Sequence, residues 1–202
     1  MTSDMRITSV TGTVVPVRGN DIDTDRIIPA RYLRAVTFDG LGPHSFEDDR
    51  KAAGGSHPFD DPRYTGARIL VVNRNFGSGS SREHAPQALL RWGIEAIVGE
   101  SFAEIFFGNC YTLGIVCAVV PEKEASSIQS AVEADPGMEL AVDVDDSTVR
   151  TETRELPFII PEAVREGFIT GKWDAIAELV ANAAEVRSIH DSLPYIGGFG
   201  GD

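Results

Sequence analysis

Sulfur ligands are scarce in this chain of 202 residues: it has two cysteines, Cys110 and Cys117, and they form no CxxC pair. Its histidines (His44, His57, His84, His190) share no metal-ligand spacing. Neither a zinc site nor a disulfide framework is expected, and two thiols cannot by themselves hold a cubane iron–sulfur cluster. No apolar run is long enough to span a bilayer. The opening MTSDMRITSV lacks the basic-then-apolar order of a secretory signal. Positive charge is also in short supply, with 18 Lys and Arg against 31 Asp and Glu and a net charge of −13. Nucleic acid and anionic lipid are repelled at long range by such a chain. The expectation is a cytoplasmic protein without a nucleic-acid or membrane partner. A small anion remains admissible, because a local arginine outweighs a distant negative surface.

What is present reads as one α/β domain with no internal repeat. ITSVTGTVVPVRG is rich in β-branched residues and predicts a strand and turn. A turn-prone acidic cluster follows, GNDIDTDRIIP, and then a short helix from Pro29 with proline in its first turn. Residues 40–64 show no usable periodicity, which suggests a functional lid or a mobile loop. Beyond them the pattern sharpens. Ala67–Asn73, Ile94–Val98 and Ile115–Val120 read as buried strands, with helices over Pro86–Trp92 and Ser101–Tyr111 between them. This alternation is the signature of parallel packing. A helix over Glu122–Ala134, a hairpin within Met138–Thr151 and two helices over Pro161–Gly167 and Trp173–Ser188 complete the reading.

The densest chemistry lies at the strand–helix junction Asn75–Ala85, NFGSGSSREHA. Ser80-Ser81-Arg82-Glu83 fits the S-x-x-E capping box, yet Pro86 would then fall past the first turn and remove a helical hydrogen bond. Glycines allow a ligand close to the backbone, the following helix start offers free N–H groups, and Arg82 offers a planar fork to a carboxylate. A serine in such positive surroundings has its alkoxide stabilised, which suits a base that removes a proton from carbon. Rival motifs fail on single letters. The P-loop lysine is missing, and G-x-S-x-G ends in Glu83. A dinucleotide fingerprint has Gly77, Gly79 and, further on, Glu100, but Arg82 stands where its third glycine belongs.

GxGSSREHA after a strand resembles the swivelling domain of the aconitase superfamily. Asp23-Thr24-Asp25-Arg26-Ile27-Ile28-Pro29, Ser101-Phe102-Ala103-Glu104-Ile105-Phe106 with Asn109-Cys110, and Leu193-Pro194-Tyr195 resemble, in the same order, motifs of the small-subunit family of 3-isopropylmalate dehydratases. The resemblance covers nearly the whole chain and is closest to the bacterial form. It implies a three-layer β/β/α swivelling domain with appended C-terminal helices. Residues 1–202 would form a single unit, about 1–156 the core and about 157–202 the extension. It implies a hydro-lyase that interconverts 2-isopropylmalate and 3-isopropylmalate through isopropylmaleate in leucine biosynthesis. This chain would hold no cofactor, and a separate large subunit would pair with it as a heterodimer and carry a 4Fe-4S cluster. Ser80 aligns with the family's catalytic serine, and Asp25 is assigned a supporting catalytic role. Ser81, Arg82 and Thr24 align with binding positions for a dicarboxylate substrate. Arg34, in Tyr32-Leu33-Arg34, falls in the segment that sets substrate choice. Ser78 replaces a common cysteine. Alternatives are a related hydro-lyase acting on homoaconitate or a methyl-substituted malate, a nucleotide-binding module, and a stand-alone interaction domain. Glu83 and His84 are expected to serve the helix cap, the pairs Asp48-Asp49 and Asp145-Asp146 to be solvated loops and a turn, and both cysteines to pack in the core.

Overall fold

The structure is a computed structural model that describes residues 5–79, 82–174, 179–180 and 182–193. Seven strands form one mixed sheet in the order β4-β3-β2-β1-β5-β6-β7. They are β1 (Ser9–Pro16), β2 (Ile69–Val72), β3 (Ala96–Gly99), β4 (Val116–Val119), β5 (Glu139–Asp143), β6 (Thr148–Arg150) and β7 (Glu155–Pro157). β1 divides the sheet. Its first half pairs antiparallel with β5, Thr11 opposite Ala141, and its second half pairs parallel with β2, Val14 opposite Ile69. From there β2, β3 and β4 continue in parallel, while β5, β6 and β7 meander antiparallel. Every residue of β2 and β3 is buried, which is why both read as unbroken apolar runs with no alternation. At the far edge, Val119 and Ile159 exchange backbone hydrogen bonds of 3.2 and 2.8 Å. This bridge joins β4 to the segment after β7, so the sheet curls toward closure.

The helices are α1 (Thr24–Ile27), α2 (Glu47–Ala52), α3 (His84–Trp92), α4 (Glu104–Thr112), α5 (Glu122–Ala134), α6 (Glu162–Thr170) and α7 (Ala183–Ser192). α5 lies across β1 to β3 and buries Ala125, Ile128 and Val132. Its fully buried Gln129 donates from Nε2 to the carbonyls of Val17 and Val71 and to Asn73 Oδ1, each at 3.2 Å. That side chain holds the carboxyl ends of β1 and β2 together where the chain leaves the sheet for the site.

Several expectations change. The segment 40–64 is not a loose loop. It holds α2 and three 3-10 turns, Gly42–His44, Pro58–Asp60 and Pro62–Tyr64, and it buries Leu41, Phe46, Phe59 and Tyr64 in the core. The helix expected from Pro29 is a 3-10 turn, Ala30–Arg34. α3 starts at His84 with Glu83 at its cap position and no side-chain cap bond. Glu83 accepts instead from Gln87 Nε2 at 3.1 Å, and His84 rests edge-on against Phe38, so neither residue caps. β7 and α1 were not anticipated. Part of the helix expected over Trp173–Ser188 lies outside the described residues. Cys110 and Cys117 are free and buried, and burial beside Cys117 pushes the Cys110 thiol well up.

Candidate active site

Two loops leave the carboxyl ends of β1 and β2 and knit together before either helix begins. Gly77 N–H donates to the Ile22 carbonyl and Thr24 N–H to the Ser78 carbonyl, both at 2.8 Å, and Asp23 bridges Ser78 in parallel. Asn75 Nδ2 donates to Asp21 Oδ1 at 2.8 Å. Hydrogen-bonding from Asn75, with Arg74 also near, holds the Asp21 carboxyl below the usual range. The motif around Asp23 and the one around Gly77, some fifty residues apart in sequence, therefore form one surface.

The two glycines serve different ends. Gly77 has φ +76°, and a Cβ added there would overlap the Phe106 ring. Gly79 has φ +92° and passes close to Asp23 and Thr24. Both backbone positions exclude a side chain at little cost only for glycine. The space over Gly77 belongs to Phe106, which leaves no room for a pyrophosphate to approach that glycine as the dinucleotide reading requires. Glu100, the residue that reading reserves for a ribose, is held by Asn73 Nδ2 at 2.8 Å.

A cleft of about 200 Å³ opens at this surface, lined by Thr24, Gly77, Gly79, Arg82 and the first turn of α4, including Glu104, Ile105 and Phe106. Asp23 caps α1 by accepting from Arg26 N at 2.8 Å, which leaves Asp25 to point outward from the first turn. There it pairs with Arg82 Nη1. Arg82 keeps 17% of its side-chain exposure and Asp25 keeps 50%, so the cation is the more sheltered partner. Thr24 is buried beside it. The first turn of α4 has backbone N–H groups that a helix leaves unsatisfied, and its dipole favours negative charge. Guanidinium and helix start together suit a carboxylate.

The structure thus brings Thr24, Asp25 and Arg82 together. Arg34 is exposed at the end of the Ala30–Arg34 turn and has no ion pair among the described residues. Ser80 and Ser81 lie outside the described residues, between Gly79 and Arg82 in sequence. Sequence reasoning missed the role of the α4 first turn in the cleft: Ser101–Phe106 is legible as a motif, but nothing in its letters says that Phe106 seals Gly77. Asp48-Asp49 lies in the first turn of α2, not in a loop, with Asp48 exposed as expected and both carboxylates ion-paired. Asp49 Oδ2 accepts from Arg26 at 2.8 Å, and Asp48 accepts from both ends of the Arg31 fork at 2.7 and 2.9 Å.

A curled mixed sheet with a glycine-lined arginine cleft at the carboxyl ends of its parallel strands is the plan of an aconitase-type swivel domain. The chain belongs to the aconitase C-terminal domain family, which matches residues 5–123. Within it, the chain groups with the small subunits of 3-isopropylmalate dehydratase. It is 48% identical over 191 residues to that of Synechocystis sp., covering 95% of this chain and 96% of the relative. It is 46% identical over 193 residues to that of Thermus thermophilus, covering 94% and 96%. The solved structure of 3-isopropylmalate dehydratase from Methanocaldococcus jannaschii shares the fold, with a TM-score of 0.67 at 23% identity over 89% of this chain and 98% of that one.

Proposed function

We propose that this chain acts as the small subunit of a 3-isopropylmalate dehydratase, a hydro-lyase that interconverts 2-isopropylmalate and 3-isopropylmalate by removing and returning water. The observation that carries the reading is the sheltered Arg82, oriented by Asp25 at the mouth of a cleft that also receives a helix start. In this proposal Arg82 holds a substrate carboxylate, and Asp25 keeps the guanidinium aimed at it. The pairing favours the negative charge that develops beside the carboxylate when a proton leaves the neighbouring carbon. Ser80 is assigned as the base that takes that proton, Ser81 and Thr24 as substrate-binding neighbours, and Arg34 as a reader of substrate identity. Among the described residues no group of His, Cys, Asp or Glu is arranged to hold a metal ion. The proposal places the 4Fe-4S cluster in the large subunit of the heterodimer, where it would supply Lewis-acid chemistry at the substrate hydroxyl. This chain's part is to bind, orient and move the proton. Among the described residues no helix is long and apolar enough to cross a membrane, and we place the complex in the cytoplasm.

The test is anaerobic reconstitution with the cluster-loaded large subunit of the same organism. Isopropylmaleate and a panel of related unsaturated acids would be followed. Turnover of isopropylmaleate that neither chain shows alone is the expected result, and Ser80→Ala should still bind the large subunit while losing turnover. Turnover of only another panel member would leave the chemistry in place and move the substrate, with Arg34 the first residue to exchange. Absence of both turnover and complex formation would overturn the proposal.

A further inference from the structure

The segment that carries Asp25 and Arg34 is anchored in the core at its start, where Ile27 and Ile28 are fully buried, but has no buried residue from Ala30 to Arg34. The Ala30–Arg34 turn buries none of its residues and has no side-chain cap. Its internal hydrogen bonds are those of a short 3-10 helix, Tyr32 N–H to the Pro29 carbonyl and Ala35 N–H to the Tyr32 carbonyl. Such a turn does not hold its place unaided. From residue 34 to residue 37 the chain is exposed, and Val36 retains 98% of its surface.

What faces it is the first turn of α2, three consecutive acids, Glu47, Asp48 and Asp49. Acids there also suit the helix's own N-terminus, but these reach outward, each to a different part of the site segment. Asp49 takes Arg26 of α1. Asp48 takes the Arg31 fork. Glu47 accepts from the Tyr32 hydroxyl and from Lys51, and it lies 3.1 Å from Arg31 and 3.2 Å from His44 Nδ1. Its side chain keeps 19% of its exposure. The Tyr32 ring stacks on His44 with centroids 4.1 Å apart and 22° between planes. α2 is itself fixed independently of these charges. Phe46, at its cap position, is fully buried in a left-handed conformation and donates its N–H to the Ile27 carbonyl at 2.8 Å. Its ring sits 4.7 Å from that of Phe59. A buried anchor thus presents a row of carboxylates to the chain between Arg26 and Tyr32.

We infer that Glu47, with Asp48 and Asp49, positions the Arg26–Arg34 segment, which follows the cleft residue Thr24 and ends at Arg34, and thereby sets substrate affinity and choice. These are positioning residues: they act through Arg26, Arg31 and Tyr32 and touch no substrate. The pull on Glu47 is visible in its acidity. Hydrogen bonds from Lys51 and then Tyr32, with Arg31 adding, hold its carboxyl down to about 2. The inference rests on the reading of this segment as part of the active site, so its test has one readout that needs no turnover.

Glu47→Ala and Glu47→Gln would be compared with the wild type, alone and in the reconstituted complex. In the isolated chain, amide hydrogen exchange across residues 30–38 should quicken in Glu47→Ala while β2, β3 and α3 keep their protection. In the complex, KM for isopropylmaleate should rise by about fivefold or more, with kcat within about twofold, because binding geometry is lost and the reacting groups are not. Glu47→Gln keeps an acceptor for Tyr32 and should recover part of the effect. A purely structural role would lower melting temperature and the yield of complex without moving KM. Unchanged exchange across 30–38 would overturn the inference whatever the activity. An unchanged KM in an active complex would overturn its functional half, and a wild-type complex that does not turn over would indict the proposed function separately.

Discussion

Arg82 and Asp25 show how much a single pair depends on the residues behind it. The pair sits where it does because Gly77 lets Phe106 fold over the β2–α3 crossing and because Gly79 lets the crossing pass Asp23 and Thr24. Phe106 is nearly fully buried and meets Phe76 edge-on at 5.3 Å, so its ring has no room to yield. Gly77→Ala should therefore cost about 1–3 kcal/mol from overpacking, with a further penalty for a side chain at positive φ. The same substitution pushes the first turn of α4 away from the cleft. A denaturant melt and the turnover of the reconstituted complex would both register it, and turnover should fall further than stability alone explains. A variant of wild-type stability and activity would mean that Phe106 packs elsewhere. Read as letters, Gly77 looks like a ligand-approach glycine. The structure gives it a packing task, because glycine's missing side chain is as useful to a neighbouring aromatic ring as to a phosphate.

At the scale of elements, what the sequence made legible follows from what holds each element in place. β2, β3 and β4 announce themselves because strands covered on both faces must be apolar at nearly every residue. α5 is long enough for its buried stripe to repeat. By contrast α1, α2 and the 3-10 turns are one or two turns long, and side chains such as Phe46 and charge pairs such as Arg31–Asp48 place them. Neither leaves a period in the sequence. α3 begins at His84, two residues before the expected Pro86, because proline is tolerated inside the first turn, where its missing N–H has no helical partner to lose. The junction of elements also yields a prediction. Gln129 on α5 donates to the Val17 and Val71 carbonyls beside the backbone bond from Val17 N–H to the Val71 carbonyl, so it ties the helix to the point where β1 and β2 end. Gln129→Met is close in volume and removes the donor. It should cost about 1–3 kcal/mol, because the Val17 carbonyl loses its donor while the Val71 carbonyl keeps the Val17 N–H. Urea melts of the two chains would measure the loss, and equal midpoints would show that another donor reaches the Val17 carbonyl.

Over the whole molecule, a net charge of −13 means that mild acid relieves self-repulsion as the chain approaches its pI of about 4.7. The paired carboxylates do not oppose this until lower pH. Glu47, with its carboxyl held down to about 2 against an ordinary value of 4.5, contributes stability above 4.5 that is lost as pH falls toward 2. Between neutrality and that range, His57 works against the fold. Burial lowers its pKa from 6.5, although Asp49 and Asp60 pull it up, while Arg50 and Arg26 lower it further. Its Nδ1 accepts from Phe59 N–H at 3.1 Å and caps the Pro58–Asp60 turn, a bond that requires that nitrogen unprotonated. The sign follows directly. Above 6.5 neither folded nor unfolded chain protonates this ring, and its contribution is complete. As pH falls through 6.5 the unfolded chain takes up a proton that the folded His57 resists, and stability declines until the folded value is passed. Asn in place of His57 offers Oδ1 to the same N–H and does not titrate. Urea midpoints of wild type and His57→Asn, measured from about pH 7.5 down to about 5.5, should therefore shift relative to each other in favour of the variant as pH falls. A difference that stays constant across that range would show that His57 binds protons equally well in both states, and that its burial carries no cost in acid.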